Sequence, residues 1–195
     1  MKHLLFALTL SFAAFAASAQ VSAPQTSSAS QETAVREGNW IIGGTLGSTN
    51  FNFDTETFDL RLEPNAAYFI SDNVAVGALV GFGLTAYDGG HVINYRVAPM
   101  IRYYFPEGAT PTSRWFAEGT AGVGGSHMKD SDEDEPVNLV LGISGGYTHF
   151  VTSSVALEAK LGYTYSKADI NSSAGWSGIG LGLGFQIYLP SRGNR

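Results

Sequence analysis

The residue types used in acyl-transfer chemistry fall together once in this sequence: His149 could serve as base, Ser153 or Ser154 as nucleophile and Glu158 as orienting carboxylate. A second grouping is Lys129-Asp130-Ser131-Asp132-Glu133-Asp134-Glu135, in which Asp130, Asp132 and Asp134 repeat at the spacing of oxygen ligands in a calcium loop. The third is dispersed along the chain. Asp59, Glu63, Glu118 and Glu158 stand against Arg61, Arg96, Arg102 and Lys160, opposite charges that could pair or could select ions in a passage. Each grouping is only as good as the elements that position it.

The acidic run lacks the turn glycine and the closing bidentate glutamate of a calcium loop. Asp130, Asp132, Glu133, Asp134 and Glu135 therefore read as a solvated outer loop with diffuse attraction for divalent ions and no dedicated metal site. His91 and His127, also assigned to outer loops, have no second partner at ligand spacing. Cysteine is absent, which removes disulfides, thiolate metal sites and a lipid-anchored cysteine. A formal net charge of −6 argues against nucleic acid as a partner. No cofactor is expected.

The chain opens with Lys2, an apolar run from Leu4 to Ala17, and Ala17-Ser18-Ala19 before Gln20. The run is shorter than the roughly 20 residues of a spanning helix, and a small-residue cleavage site follows it, so residues 1–19 read as a cleaved signal peptide. Residues 20–38, rich in Ser, Ala, Gln and Thr without periodicity, are expected to form a disordered periplasmic linker. One domain is expected over 39–189, with a short tail over 190–195. Charged residues make up 14% of the chain, against about a quarter in a soluble domain. An apolar exterior would account for the deficit.

From Phe58 to Ile70 one parity holds Phe58, Leu60, Leu62, Pro64, Ala66, Tyr68 and Ile70, and the other holds Asp59, Arg61, Glu63 and Asn65. Such period-two alternation is a strand with one apolar and one polar face. The pattern returns around Val74–Leu84, Tyr95–Phe105, Trp115–Val123, Leu139–Tyr147, Val155–Tyr163 and Ile179–Ile187, and a weaker strand from Trp40 to Thr49 completes a set of eight. Connectors at Ser71–Asn73 and Val151–Ser154 are short; those at Asn50–Thr57, Asp88–His91, His127–Pro136 and Ser166–Gly175 alternate with them and are mostly longer. That rhythm predicts short periplasmic turns, longer outward loops and both termini periplasmic. Pro106–Ser113 is a long connector on the short-turn side.

Nearly all strand charges share the parity opposite the apolar one. A soluble eight-stranded barrel would turn them to water and keep apolar groups around a ligand; a membrane barrel would turn them into the lumen. The signal peptide, the glycines, and aromatics at both ends of the apolar parity favour the lumen: Tyr68, Tyr103, Phe105, Trp115 and Tyr147 near one rim, Phe58, Tyr163 and Tyr165 toward the other. The fold predicted is all-β, an eight-stranded antiparallel up-and-down transmembrane β-barrel. His149 then falls on the apolar face beside a periplasmic turn, which argues against catalysis by the His149, Ser153, Ser154 and Glu158 group.

The run Pro64-Asn65-Ala66-Ala67-Tyr68-Phe69-Ile70-Ser71-Asp72-Asn73-Val74-Ala75-Val76-Gly77, the strand end Pro99-Met100-Ile101-Arg102-Tyr103-Tyr104-Phe105 and the glycine-alternating last strand resemble the small outer-membrane β-barrel superfamily, with its OmpA-type, OmpX-type and OmpW-type barrels and proteins labelled porin family. The resemblance covers about residues 38–189. It implies a Gram-negative outer-membrane location, contact with membrane lipid and lipopolysaccharide, and insertion by the outer-membrane assembly machinery. Members often end on an aromatic read by that machinery; here Tyr188-Leu189 is followed by Pro190 to Arg195, which implies an internal signal at Phe185–Leu189.

In so narrow a bore, Asp59, Arg61, Glu63, Arg96, Arg102, Glu118, Glu158 and Lys160 should pair and plug the lumen. Two layers are expected: Arg102, Glu118, Glu158 and Lys160 near the periplasmic turns, and Asp59, Arg61, Glu63 and Arg96 beyond them. Arg102 and Glu118 should lie nearly opposite on adjacent strands. The function expected is a non-enzymatic, monomeric barrel serving envelope structure or loop-mediated interaction; the alternative is a narrow conduit for ions or small apolar molecules.

Overall fold

The computed structural model describes residues 33–52, 57–87, 90–106, 110, 112–128, 137–167 and 175–191. The segment read as a signal peptide, most of the expected linker and the acidic run from Lys129 to Glu135 lie outside the described residues. The strands are β1 (Trp40–Asn52), β2 (Thr57–Ser71), β3 (Val74–Tyr87), β4 (Gly90–Tyr104), β5 (Ser113–Met128), β6 (Asn138–Phe150), β7 (Val155–Lys167) and β8 (Gly175–Leu189). Each pairs antiparallel with its neighbours in sequence, and β1 closes on β8 from Trp40↔Leu189 to Gly47↔Gly182. The result is a closed up-and-down barrel with no edge strand.

The strands are 13 to 16 residues long, more than the about 9–11 that a tilted strand needs to cross a bilayer. Several connectors read from the sequence are correspondingly shorter, because hydrogen bonding continues through polar residues at the strand ends. His91 and His127 thus belong to β4 and β5, not to loops, with pairings Ala86↔His91 and Ile93↔His127.

Both described chain ends lie at one end of the barrel, the terminal end, with the turns 72–73, 105–112 and 151–154; the opposite end is the loop end. The tightest turn is Asp72-Asn73, where Asn73 has φ 68°. A two-residue hairpin demands a left-handed residue, and asparagine tolerates it better than most. At the other short turn Thr152 Oγ1 accepts hydrogen bonds from the backbone N–H of Ser154 (3.2 Å) and Val155 (3.0 Å).

The segment expected to be disordered up to Gly38 is ordered from Thr33 onward, a correction with a clear cause. Ala34 and Val35 are buried in the core at the terminal end. Val35 C=O accepts from Asn73 N–H (2.8 Å), Gly38 N–H donates to Phe69 C=O (2.9 Å), and Glu37 N–H donates to Asp72 Oδ1 (2.9 Å). Asn39, itself buried, donates from Nδ2 to Ala34 C=O (3.2 Å) and accepts from Ser191 N–H on Oδ1 (3.1 Å). The segment is a strap across the mouth of the barrel, and its polar composition concealed the two apolar residues that dock.

Candidate functional site: the lumen

Alternation puts opposite chemistry on the two faces of the sheet. Outward lie Ile143, Ile179, Leu181 and Leu183, with relative exposures from 63% to 77%. Inward lie Glu63, Arg102, Glu118 and Glu158, none above 7% exposed. Water would penalise that exterior and reward the opposite arrangement, so the soluble alternative fails on polarity. Tyr68, Tyr103, Phe105, Trp115 and Tyr147 stand exposed around the terminal end, and Trp115 packs edge-on against Tyr147 at 5.0 Å between centroids.

Inside, β4 presents Arg102 directly opposite Glu118 of β5. Arg102 donates from Nη2 to Glu118 Oε2 (2.5 Å) and from Nη1 to both carboxylate oxygens of Glu158 on β7 (3.0 Å each). The guanidinium also lies 4.4 Å from the centroid of Phe116, and its Nη1 donates to the Tyr104 hydroxyl (3.0 Å). Glu158 accepts further bonds from Thr148 Oγ1 (2.9 Å) and Gln186 Nε2 (3.3 Å). This saturation is what allows charges to be buried at all.

The two expected layers are one chain of charges. Lys160 Nζ reaches Glu118 Oε1 (3.3 Å) on one side and Glu63 Oε2 (3.5 Å) on the other, and Glu63 binds Arg96 (2.5 Å). Arg61 stands apart: it is exposed on the loop-end side and makes no ion pair with a described residue. Asp59 lies in β2 opposite Thr85, and its side chain falls outside what is described.

Below the charges, toward the terminal end, the inner face turns apolar. Phe69, Tyr104, Phe116, Phe150 and Tyr188 are all buried there with Ile41, Ala67, Ala75 and Ala156, and the strap closes over them. Phe150 lies 5.0 Å from Tyr188 between centroids, and the hydroxyls of Tyr104 and Tyr188 are 2.8 Å apart. This floor departs from the reading of the non-apolar parity as uniformly polar. Its trace in the sequence is the loss of alternation in Tyr68-Phe69-Ile70, Tyr103-Tyr104-Phe105 and Trp115-Phe116, since continuous apolar runs mark strands buried on both faces. Arg114 was also missed; it is buried near the same mouth and donates to Asn73 Oδ1 (2.8 Å). Beyond Arg102, toward the loop end, the bore widens into a cavity of about 360 Å³ lined by Arg61, Glu63, Arg96, Glu118, Lys160, Thr120 and several glycines.

The candidate acyl-transfer group does not assemble. His149 and Leu157 are paired and both face outward, whereas Glu158 is buried inside. No imidazole–carboxylate contact can form through the wall between them.

A closed eight-stranded sheet with an apolar exterior and ion pairs within defines a transmembrane β-barrel of the outer-membrane type. Among solved structures it is similar to the N-terminal β-barrel domain of Pseudomonas aeruginosa OprF (18% identity, 77% of this chain and 98% of that one, TM-score 0.48). It is similar also to Neisserial surface protein A (16%, 76% and 94%, 0.47) and to the outer membrane enzyme PagL (14%, 75% and 98%, 0.46). No protein-family model matches the chain, and no curated protein matches it.

Proposed function

We propose that the protein is a non-enzymatic outer-membrane barrel with a sealed bore, which serves envelope structure or presents its loops to partners. The observation that carries this reading is the obstruction of the terminal half of the lumen: Arg102 clamped between Glu118 and Glu158, the aromatic floor beneath it, and the strap across the mouth. A conduit would have to break buried ion pairs, open an apolar floor and displace Val35. In this reading both termini are periplasmic, the barrel is a monomer, lipid and lipopolysaccharide cover the apolar exterior, and the assembly machinery inserts the chain. Planar-bilayer conductance of the refolded protein tests it. The expected record is a flat baseline, and stable unitary steps in the parent protein would instead favour the conduit.

A further inference from the structure

We propose that the loop-end half of the lumen contains a binding site for a small oxyanion, a phosphate or carboxylate group carried by a free solute, held between Arg61 and Arg96. The register places its parts. Arg61 of β2 is opposite Gly83 of β3, which is opposite Asn94 of β4, so the three form one rung across the inner wall. Arg96 is opposite Gly81 on the neighbouring rung toward the terminal end. The two arginines therefore flank a strand whose inward positions at these two rungs, Gly81 and Gly83, carry no side chain. Arg96 lies over that glycine trough: a Cβ at Gly81 would meet its Cγ at 2.6 Å and its Nε at 2.9 Å.

Donors are in surplus here. Arg96 satisfies Glu63 through Nη2, but its Nε is buried without a hydrogen-bond partner. Buried donors in native proteins are nearly always paired, so an orphan on a guanidinium asks for an acceptor. Arg61, which borders the same space, makes no ion pair with a described residue. The space they border is a cavity of about 210 Å³ whose polar side chains include Arg61, Asn94, Arg96, Asn138, Thr164 and Ser166; among the described residues, no carboxylate lines it. It shares Arg61, Asn94 and Arg96 with the larger cavity of about 360 Å³, which gives a solute attached to the anion room to extend.

The chemistry follows from the donor set. A guanidinium offers forked N–H groups that match two oxygens of a carboxylate or phosphate, and such charge-assisted bonds are the strong ones. Glu63 and Glu118, the described carboxylates that line the larger cavity, are already engaged by Arg96, Arg102 and Lys160. The closed wall excludes a lipid headgroup entering sideways, so the anion belongs to a water-borne solute.

The test is calorimetric titration of the full chain, refolded in phosphate-free maltoside micelles, with inorganic phosphate at constant low ionic strength. Saturable binding is expected. Arg61→Ala should weaken it by about tenfold or more, the scale of one charge-assisted hydrogen bond. Arg96→Lys, which keeps a cation for Glu63 and surrenders Nε, should weaken it comparably, with heat-modified gel mobility showing that each variant is folded. The proposal is overturned if the folded parent shows no saturable phosphate binding, if chloride alone gives the same heats, or if Arg61→Ala binds as the parent does. Binding that appears only after Asp59→Asn would also overturn it, because the chain's own carboxylate would then be the occupant.

Discussion

At the terminal end the inner face carries Phe69, Tyr104, Phe116, Phe150 and Tyr188, whereas farther along the barrel toward the loop end it carries Gly83, Gly124, Gly142, Gly162 and Gly180. The two halves share one closed backbone of constant strand number, so inward side-chain volume alone decides which is solid and which is hollow. The ion pairs follow the same division. Arg102 and Glu118 have side-chain exposures of 0% and 2%, while Arg96 and Glu63 have 18% and 8%. A pair sealed by aromatics cannot exchange its partner for water, and one bordering a cavity can. The same residue types thus act as a lock at one level and as a polar surface at the next.

The comparison breaks most visibly at Arg102. Arg102→Ala should cost about 3–5 kcal/mol in urea unfolding from micelles, because it strands the carboxylates of Glu118 and Glu158 in a dry interior. Glu118→Ala should cost less, since Arg102 keeps Glu158. The double replacement should be less destabilising than Arg102→Ala alone. Strict additivity of the two single effects would show that the pair is not coupled, and that the terminal half is no drier than the loop half.

Glycine replacements probe the same division at smaller scale. A Cβ at Gly77 would collide with the Ala66 carbonyl oxygen and the Ala67 Cα, backbone atoms that cannot yield, whereas at Gly47 the nearest atoms are side-chain carbons of Arg61 at 3.7 Å. Gly77→Ala should therefore cost about 1–3 kcal/mol, and Gly47→Ala should stay within about 0.5 kcal/mol of the parent. Equal urea midpoints for the two variants would remove the steric distinction.

A local effect is expected at the strap. Asn39→Ala removes the bonds to Ala34 C=O and from Ser191 N–H, and should cost about 1–2 kcal/mol. Amide hydrogen exchange should quicken at Asn73, whose N–H is held by Val35, more than at the strand centres. Unchanged exchange at Asn73 would mean that the strap docks through Ala34 and Val35 without help from Asn39.

Much of this architecture was legible because a strand has a period of two. Asp59, Arg61 and Glu63 alternate with Leu60 and Leu62, which fixes a polar and an apolar face before any partner is known, and short connectors leave antiparallel neighbours as the economical pairing. Counting inward from the Pro106–Ser113 connector even aligns Arg102 with Glu118, since a one-residue slip would turn one of them into lipid. Other features depended on closure. Glu158 reaches Arg102 from a strand 56 positions away, and Lys160 joins Glu63 to Glu118 across the bore. Periodicity assigns such residues to a face but says nothing of what faces them, because the partners meet only when β1 closes on β8. Alternation puts Phe69, Phe116 and Tyr188 on the inner parity, but it does not show the floor that they build together, nor Val35 docked beneath it. Local pattern determined the faces of the sheet; the closed circumference decided which side chains fill it.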